Sequence, residues 1–330
     1  MKAVALDFLW PDELAAMLHD GIEFVAVGRE PARTRDRHLA GAAVLISTTF
    51  DRTLARACPA LRLLLCPAAG TERIDRRQLP PGAAFLHGVG HQIPIAEYVL
   101  ATIIALRRQL FAADRALRRG RWAFGYLRPE SFVAEICGSA MGLIGYGSIA
   151  QEVVKRARPF GVRCRALTLH PERRGGCDDG IAVGHLQSSA EVDQLVRSVD
   201  ALVLCCELSP LTRNIIDARR LRLMRPNAVL VNVARGALVD ERALYDALRG
   251  RKLAGAALDV WYRYPRDGDQ RVLPSALPFH KLQNVIMTPH CSGWTQPQKQ
   301  RKLRFLADAI NDYARRQRVA LGSPTARVRA

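Results

Sequence analysis

The chain has 330 residues, of which 49% are hydrophobic and 24% charged, so it is long enough for two domains with buried cores. Its longest strongly apolar stretch, residues 98–106, is much shorter than the roughly 20 residues that span a bilayer, and we expect a cytoplasmic protein. The net charge of +18 comes from basic clusters interleaved with acids and without a nucleic-acid-binding motif, so nucleic-acid binding is not favoured. The cysteines form neither a Cys-x-x-Cys pair nor a Cys/His cluster, and no metal site is predicted.

The first hundred residues alternate between short apolar runs and helical stretches. The runs that favour strands are residues 4–6, 24–27, 43–46 and 61–65. A helix is predicted over residues 94–119 because no glycine or proline interrupts its pattern after Pro94, and Glu97 is expected in its first turn. This alternation is typical of a doubly wound α/β domain.

A glycine fingerprint stands in the middle of the chain, Gly145-Tyr146-Gly147-Ser148-Ile149-Ala150. It follows the apolar run 140–144 and precedes helix-forming residues, which is the strand-turn-helix context of dinucleotide binding. Gly145 allows the tight turn, and Gly147 removes a side chain where backbone approaches a pyrophosphate. The amides that open the helix, at Ser148 and Ile149, then face that anion.

Further strands are predicted after the fingerprint, at residues 162–168, 201–206, 228–233, 254–259 and 285–287. The last helix, residues 298–316, is expected to return to the first domain. We therefore expect one domain at 1–101, completed by 297–330, and a dinucleotide-binding domain at 102–296. The cleft between two such domains is the usual place for a ligand.

Two polar residues follow predicted strands at the edge where open α/β sheets place ligands. Arg235 comes after the buried pattern 229–233, where it can bind a carboxylate and polarise a carbonyl oxygen. His290 follows Thr288-Pro289, where it can exchange a proton with a ketone or an alcohol. A salt-bridged arginine and a structural histidine are the alternative interpretations of each residue taken alone.

The sequence resembles the D-isomer-specific 2-hydroxyacid dehydrogenase family over nearly its whole length. The residues that carry the resemblance are Val231-Asn232-Val233-Ala234-Arg235-Gly236-Ala237-Leu238-Val239-Asp240, the run 254–260 and Thr288-Pro289-His290, with weaker matches at 70–75, 95–98 and 209–213. The resemblance implies two doubly wound Rossmann-like domains, the nucleotide-binding domain being inserted in a discontinuous substrate domain. It also implies a homodimer built through the nucleotide-binding domain and the long helix.

The resemblance further implies roles for individual residues. Arg235 would bind substrate, and His290 would be the acid/base. The backbone amides near Ala69 and Gly70 would hold the substrate carboxylate. The residues placed beside the cofactor are Ile95, Cys206, Glu207, Val233 and Asp259.

One departure from the family affects the predicted acid/base. The family usually has a glutamate that bonds the catalytic histidine, and Tyr264 occupies its position in Asp259-Val260-Trp261-Tyr262-Arg263-Tyr264-Pro265. A phenol can orient the imidazole but adds no negative charge, so we expect the histidine to lose its proton at lower pH than in typical relatives. Asp267 or Asp269 is the alternative source of a carboxylate.

A second departure concerns the choice of cofactor. The acid expected about 20 positions after the fingerprint, for the ribose hydroxyls, aligns with Thr168. Without a carboxylate there, Thr168, His170, Arg173 and Arg174 can accept a 2′-phosphate, which favours NADP over NAD. Glu172 supports the opposite choice, since a small shift of the strand end moves its carboxylate toward the ribose. Trp294 either narrows the substrate pocket or packs in the dimer interface.

The sequence therefore predicts an NAD(P)-dependent oxidoreductase that interconverts a 2-keto acid and a D-2-hydroxy acid. The alternative is a catalytically weak NAD(P)-binding sensor or corepressor-like protein, which the missing glutamate and the basic surface favour. The retention of Arg235 and His290 favours the enzyme. The sequence does not identify the side chain of the substrate.

Overall fold

The computed structural model describes residues 1–6, 8–28, 32–88, 90–128, 130–174, 181–266 and 271–322. The chain divides into a first unit, Met1–His91 with the segment from Trp294 onward, and a second unit, Gln92–Gly293. The expected boundaries after residues 101 and 296 therefore shift to 91 and 293. The reason is that the helix beginning at Gln92 packs against the second sheet.

The sheet of the first unit contains β1 (Lys2–Leu6), β2 (Glu23–Val27), β3 (Val44–Ile46), β4 (Leu63–Cys66) and β5 (Ala84–His87). The sheet of the second unit contains β6 (Ala140–Ile144), β7 (Arg163–Thr168), β8 (Ala182–His185), β9 (Ala201–Leu204), β10 (Val229–Asn232), β11 (Gly255–Leu258) and β12 (Val285–Met287). The helices are α1 (Pro11–Ala15), α2 (Ala32–Ala40), α3 (Arg52–Ala57), α4 (Gln92–Arg107), α5 (Leu110–Leu117), α6 (Ser148–Ala157), α7 (Ser189–Ser198), α8 (Ala218–Leu223), α9 (Glu241–Arg249) and α10 (Gln296–Gly322).

The first sheet is parallel with the strand order β2-β1-β3-β4-β5. Its central strands are continuous runs of buried apolar residues, which a sheet covered on both faces requires. Helices α1 and α10 pack on one face, and α2 and α3 pack on the other. The first unit is thus a doubly wound domain, and α10 returns to it as the sequence predicts.

The second sheet is also parallel, with the order β12-β11-β10-β9-β6-β7-β8. Helices α4 and α6 cover one face, and α7, α8 and α9 cover the other. The direction of strand addition reverses between β6 and β9, and ligands bind at such a switch point in open α/β sheets. The doubly wound α/β class predicted from the sequence is confirmed.

Three details differ from the predicted elements. Strands β5 and β8 were not predicted; both are edge strands in which no residue is buried. The long helix is interrupted, since Gln109 adopts a left-handed backbone (φ 51°) between α4 and α5. Because α4 begins at Gln92, Glu97 lies in its second turn. In the described part of the chain, no helix combines the length and apolar character needed to cross a bilayer.

Candidate active site

The glycine turn lies at the switch point of the second sheet. Gly145 follows β6 with φ +98°, a conformation that disfavours any side chain. A Cβ atom at this position would lie 2.7 Å from the backbone nitrogen of Cys206, which follows the neighbouring strand β9. The turn therefore requires glycine both for its backbone angle and for the close approach of the next strand.

The residues after this turn fit a dinucleotide pyrophosphate. Gly147 is the N-cap of α6, and among the described residues beyond its chain neighbours and the helix backbone no atom lies within 4 Å of the position that its Cβ would take. Ser148 and Ile149 open this ten-residue helix, whose first amides carry the positive end of its dipole. Ala150 is fully buried against the sheet. The open space at Gly147 is the room that backbone-to-phosphate contact needs.

Arg235 is held in a turn immediately after β10. The side chain of Asn232 donates to the carbonyl oxygen of Arg235 (2.9 Å) and accepts from the backbone N–H of Ala234 (3.1 Å). Gly236 packs so closely on the backbone of Trp261 that a Cβ would overlap its carbonyl group. Asn232 and Gly236 together fix the Arg235 turn beside the loop that follows β11.

Asp259 fixes the loop that carries His290. Its fully buried carboxylate accepts hydrogen bonds from Oγ1 of Thr288 (2.7 Å) and from the backbone N–H groups of Cys291 (2.8 Å) and Ser292 (2.9 Å). His290 has φ +57°, which is uncommon for a residue other than glycine. The surrounding hydrogen bonds hold this backbone conformation, and they give Asp259 a positioning role that the sequence did not predict.

Two further side chains reach Thr288. The indole N–H of Trp261 donates to its carbonyl oxygen (2.8 Å). The hydroxyl of Tyr98, on α4, lies 2.7 Å from Thr288 Oγ1 and is the donor, because Thr288 donates its own proton to Asp259. Burial raises the pKa of Tyr98 to about 12, so the phenol keeps this proton.

Tyr264 contacts His290 as the sequence suggests for the position of the missing glutamate. Its Oη lies 3.2 Å from Nδ1 of His290 and accepts a hydrogen bond of 3.1 Å from the backbone N–H of Trp261. The pKa of Tyr264 is raised, mainly by burial of the phenol, while the Trp261 N–H and the charge of Arg235 oppose this rise. Tyr264 is therefore a neutral partner of the imidazole, and Arg235 is close enough to act on it electrostatically.

The predicted ribose region lies at the end of β7. Thr168 is the last residue of that strand. Nδ1 of His170 lies 3.1 Å from Oε1 of Glu172, and both side chains are more than half exposed. The side chain of Arg173 lies outside the described residues, as do Asp267 and Asp269. The exposed His170–Glu172 pair thus brings one acid and one base to this region.

The remaining residues predicted beside the cofactor fall into two groups. Cys206 lies against the glycine turn, and the carbonyl oxygen of its neighbour Glu207 accepts a bond of 2.8 Å from Thr212. Val233 ends the β10 segment, and Ile95 lies on α4, with both side chains buried in one core. The structure places Cys206 and Val233 after neighbouring strands, at the edge that carries the glycine turn.

The predicted carboxylate loop lies in the first unit, directly after β4. The thiol of Cys66 donates weak hydrogen bonds to the carbonyl oxygens of Ala68 (3.8 Å) and Gly70 (3.9 Å). Within the described residues, the amides of Ala69 and Gly70 donate no hydrogen bond. Trp294, also in this unit, packs on Trp10 with ring centroids 5.4 Å apart and is 59% exposed.

Comparisons with known proteins agree with this geometry. Residues 100–292, more than half of the chain, match the family described as D-isomer specific 2-hydroxyacid dehydrogenase, NAD binding domain. A glyoxylate reductase of Korarchaeum cryptofilum is 28% identical over 273 residues, which are 82% of this chain and 78% of the relative. An (S)-sulfolactate dehydrogenase of Chromohalobacter salexigens is 32% identical over 256 residues, 77% of this chain and 78% of the relative.

Among solved structures, an acyclic imino acid reductase in complex with NADPH and D-Arg is similar with a TM-score of 0.78. The likeness covers 96% of this chain and 98% of that one at 23% identity, and it shows a shared fold. The family match extends from α4 through the glycine turn, Arg235 and Tyr264 to His290. The chain therefore belongs to the D-isomer-specific 2-hydroxyacid dehydrogenase family.

Proposed function

We propose that this protein is an NAD(P)-dependent oxidoreductase that interconverts a 2-keto acid and a D-2-hydroxy acid. The observation that carries the proposal is the grouping of Arg235, Tyr264 and His290 at the edge of the second sheet where its parallel strands end. The glycine turn follows β6 at that same edge. A site with a cation, an acid/base and a phosphate-binding turn on one sheet edge suits hydride transfer to a carboxylate-bearing ketone.

In the proposed mechanism, His290 gives a proton from Nε2 to the ketone oxygen and takes it back in the reverse direction. Tyr264 accepts a hydrogen bond from Nδ1 and so keeps Nε2 turned toward the substrate. Arg235 binds the substrate and stabilises the charge that develops on its oxygen. The residues of the glycine turn would hold the nicotinamide cofactor, which would supply or accept the hydride.

The amides of Ala69 and Gly70 are proposed to bind the substrate carboxylate, because their N–H groups are available in the described structure. Trp294 offers an exposed indole face in the same unit. We propose that Trp294 belongs to the substrate pocket. The names of the relatives cover substrates as different as glyoxylate and sulfolactate, so the family alone leaves the substrate side chain open.

For the cofactor, we propose that Gly145, Gly147, Ser148 and Ile149 hold the pyrophosphate. The residues assigned to the rest of the cofactor are Ile95, Thr168, His170, Arg173, Cys206, Glu207, Val233 and Asp259. NADP is favoured over NAD because Thr168 places no carboxylate at the end of β7. Equal Michaelis constants for NADPH and NADH would contradict this preference.

The test is an absorbance assay of purified protein with NADPH or NADH and a panel of glyoxylate, hydroxypyruvate, pyruvate and bulkier 2-keto acids. The proposal predicts oxidation of the cofactor with at least one of them. The second candidate is an NAD(P)-binding sensor with little turnover, which Tyr264 at the usual glutamate position favours. Tight cofactor binding without turnover across the panel would support that candidate.

Homodimer formation and cytoplasmic location stay predictions from the sequence. What supports the dimer is α5, none of whose residues is buried and whose Leu110, Phe111 and Leu117 are each at least half exposed. A cavity of about 740 Å³ lies beside α5 and is lined by Phe111, Phe124 and Phe132 among others. A strictly monomeric mass in solution would contradict the dimer.

A further inference from the structure

The carboxyl edge of the first sheet contains a buried lysine whose charge has no partner among the described residues. Lys302, in the second turn of α10, is 9% exposed. Its ammonium group makes no hydrogen bond or ion pair within the described residues, and it lies over the ring of Trp10, 5.4 Å from the centroid. Burial lowers the pKa of Lys302, as expected for an ammonium without a counter-ion.

Two more polar groups beside Lys302 lack partners in the described part of the chain. Gln298 lies four residues earlier and therefore on the same face of α10. It is 1% exposed, and its Nε2 has no hydrogen-bond partner. Nδ1 of His91, which follows β5, is also buried without a partner. Leaving a buried polar atom unsatisfied costs about 1–3 kcal/mol, so these two atoms, together with the unpaired ammonium of Lys302, indicate a site that a ligand completes.

The charges around this cluster are mainly positive. Lys302 and Arg301 both lower the pKa of His91, whose burial has the larger effect, and it reaches about 4. Arg301 donates through Nε and Nη2 to the carbonyl oxygen of Gly90. Lys302 also acts on the thiol of Cys66, whose pKa burial raises and the nearby carboxylate of Glu72 raises further. The cluster thus contains two cations and a neutral imidazole, and the carboxylate of Glu72 lies close enough to act on the same thiol as Lys302.

The carboxylate loop after β4 borders the same cluster. Cys66, on which Lys302 acts, bonds the carbonyl oxygens of Ala68 and Gly70. Those bonds hold two carbonyl groups on the Cys66 side of the loop, and the amides of Ala69 and Gly70 remain without partners in the described structure. A carboxylate bound by these two amides would therefore lie in the same unit as the cations Lys302 and Arg301. These cations do not belong to the loop that carries the amides.

We propose that Lys302 and Gln298 form a binding site for a second anionic group of the substrate, so that this enzyme prefers 2-keto acids whose side chain ends in a carboxylate, phosphate or sulfonate. The kind of substrate in this inference rests on the proposed function. The site itself is argued from residues of the first unit alone. Lys302 supplies the charge, and Nε2 of Gln298 donates a hydrogen bond. His91 lines the site as a neutral ring.

Lys299 provides a matched control on the same helix. Its ammonium lies over the same Trp10 ring, 5.2 Å from the centroid, but it is paired with Glu13. Lys299 and Lys302 thus share the aromatic contact and differ in whether the charge has a partner. Substitution of each lysine by methionine keeps an unbranched side chain of similar length and removes the charge.

The experiment compares wild type, K302M and K299M as full chains. The first measurement is the ratio of the Michaelis constant for 2-oxoglutarate to that for 2-oxohexanoate, a chain of similar length without the second charge. We expect K302M to raise this ratio about tenfold and K299M to leave it within twofold of wild type. Thermal unfolding in phosphate-free buffer should show no loss of stability in K302M, because an unpartnered buried charge is removed.

The second measurement is calorimetric titration of the three chains with inorganic phosphate, which needs no turnover. We expect phosphate to bind wild type and K299M at least tenfold more tightly than K302M. If no keto acid is reduced, the proposed function fails while this titration still tests the site. Equal phosphate affinity in wild type and K302M indicates an adventitious ion only, and that result, or an unchanged kinetic ratio, overturns the inference.

Discussion

The two sheets end in edges of opposite character. At the carboxyl edge of the second sheet, the loops are tied by a continuous set of hydrogen bonds: Asp259 alone accepts three, and Asn232 closes the Arg235 turn. At the same edge of the first sheet, Lys302 and Gln298 are buried with charge or donors unused within the described residues. Both edges belong to doubly wound domains, so the difference does not follow from topology.

The difference indicates that the two edges have different functions. A proton-transfer group must be held in one orientation before substrate arrives, and saturated loops achieve this at the cost of adaptability. A recognition site instead keeps donors that only the ligand satisfies, because those donors then discriminate against molecules that cannot pair with them. We therefore propose that the second edge carries the chemistry and that the first selects the substrate side chain.

The largest effect is expected at His290. His290→Asn removes the acid/base, and because asparagine tolerates a positive φ it should leave the loop intact. We expect kcat to fall by about 10²–10⁴-fold, the usual contribution of general acid/base catalysis, as measured by steady-state kinetics. Cofactor affinity should stay near the wild-type value. A variant that keeps more than a tenth of the wild-type kcat would remove His290 from the proposed mechanism.

The next effect is expected at Asp259, which tests whether saturation of the loop matters. Asp259→Ala leaves the N–H groups of Cys291 and Ser292 without an acceptor. We expect about a 10–100-fold loss of kcat, and chemical denaturation should show a loss of about 2–4 kcal/mol in the free energy of unfolding.

The matched control for this variant is Asp240→Ala, which removes the N-cap of α9 and none of the hydrogen bonds that Asp259 accepts. It should cost about 1 kcal/mol of stability and leave kcat near wild type. Equal kinetic effects of the two substitutions would show that Asp259 acts only through general stability.

A smaller effect is expected from restoring the carboxylate at position 264. A glutamate beside Nδ1 stabilises the imidazolium and so raises the pKa of His290. Ketone reduction needs the protonated histidine, and the wild-type rate should therefore weaken as pH rises. In Tyr264→Glu, the falling limb of the pH–rate profile should move up by about one pH unit. A wild-type rate that stays flat from about pH 6 to 9 would contradict this account.

The smallest effect concerns stability in the first unit. Burial and two neighbouring cations hold the pKa of His91 near 4, below its ordinary value of 6.5. The unfolded chain therefore binds a proton that the folded chain rejects, so stability is fully present above about pH 6.5 and falls as the pH drops toward 4. Urea unfolding should show this loss of stability at low pH. In His91→Gln the loss between pH 6.5 and 4 should be smaller by about 1–2 kcal/mol. An identical pH dependence in both proteins would exclude His91 as the cause.

Much of the fold was predictable because the central strands of both sheets are uninterrupted apolar runs. Strands β5 and β8 were missed although each contains a short apolar run; both lie at sheet edges, and none of their residues is buried. The break between α4 and α5 at Gln109 was also missed, because neither glycine nor proline lies there to indicate the end of a helix. Local pattern therefore predicted buried elements well and exposed boundaries poorly.

The candidate site shows a similar division. Arg235, Tyr264 and His290 could be singled out because each follows a strand within a recognisable run of residues. Their supports could not, since Tyr98 reaches Thr288 across 190 positions and Asp259 reaches Ser292 across 33. Whether a buried lysine such as Lys302 has a partner depends on the packing of distant segments, and no local pattern reports it.

The most direct test of the central claim follows the hydride itself. Wild type, Arg235→Met and His290→Asn would be incubated with glyoxylate or 2-oxoglutarate and with NADPH or NADH deuterated at the transferable position of the nicotinamide, and the products analysed by mass spectrometry. The account predicts a 2-hydroxy acid that carries one deuterium at C2, formed by wild type and reduced at least a hundredfold in both variants. Deuterium transfer that survives in either variant at the wild-type rate would contradict it.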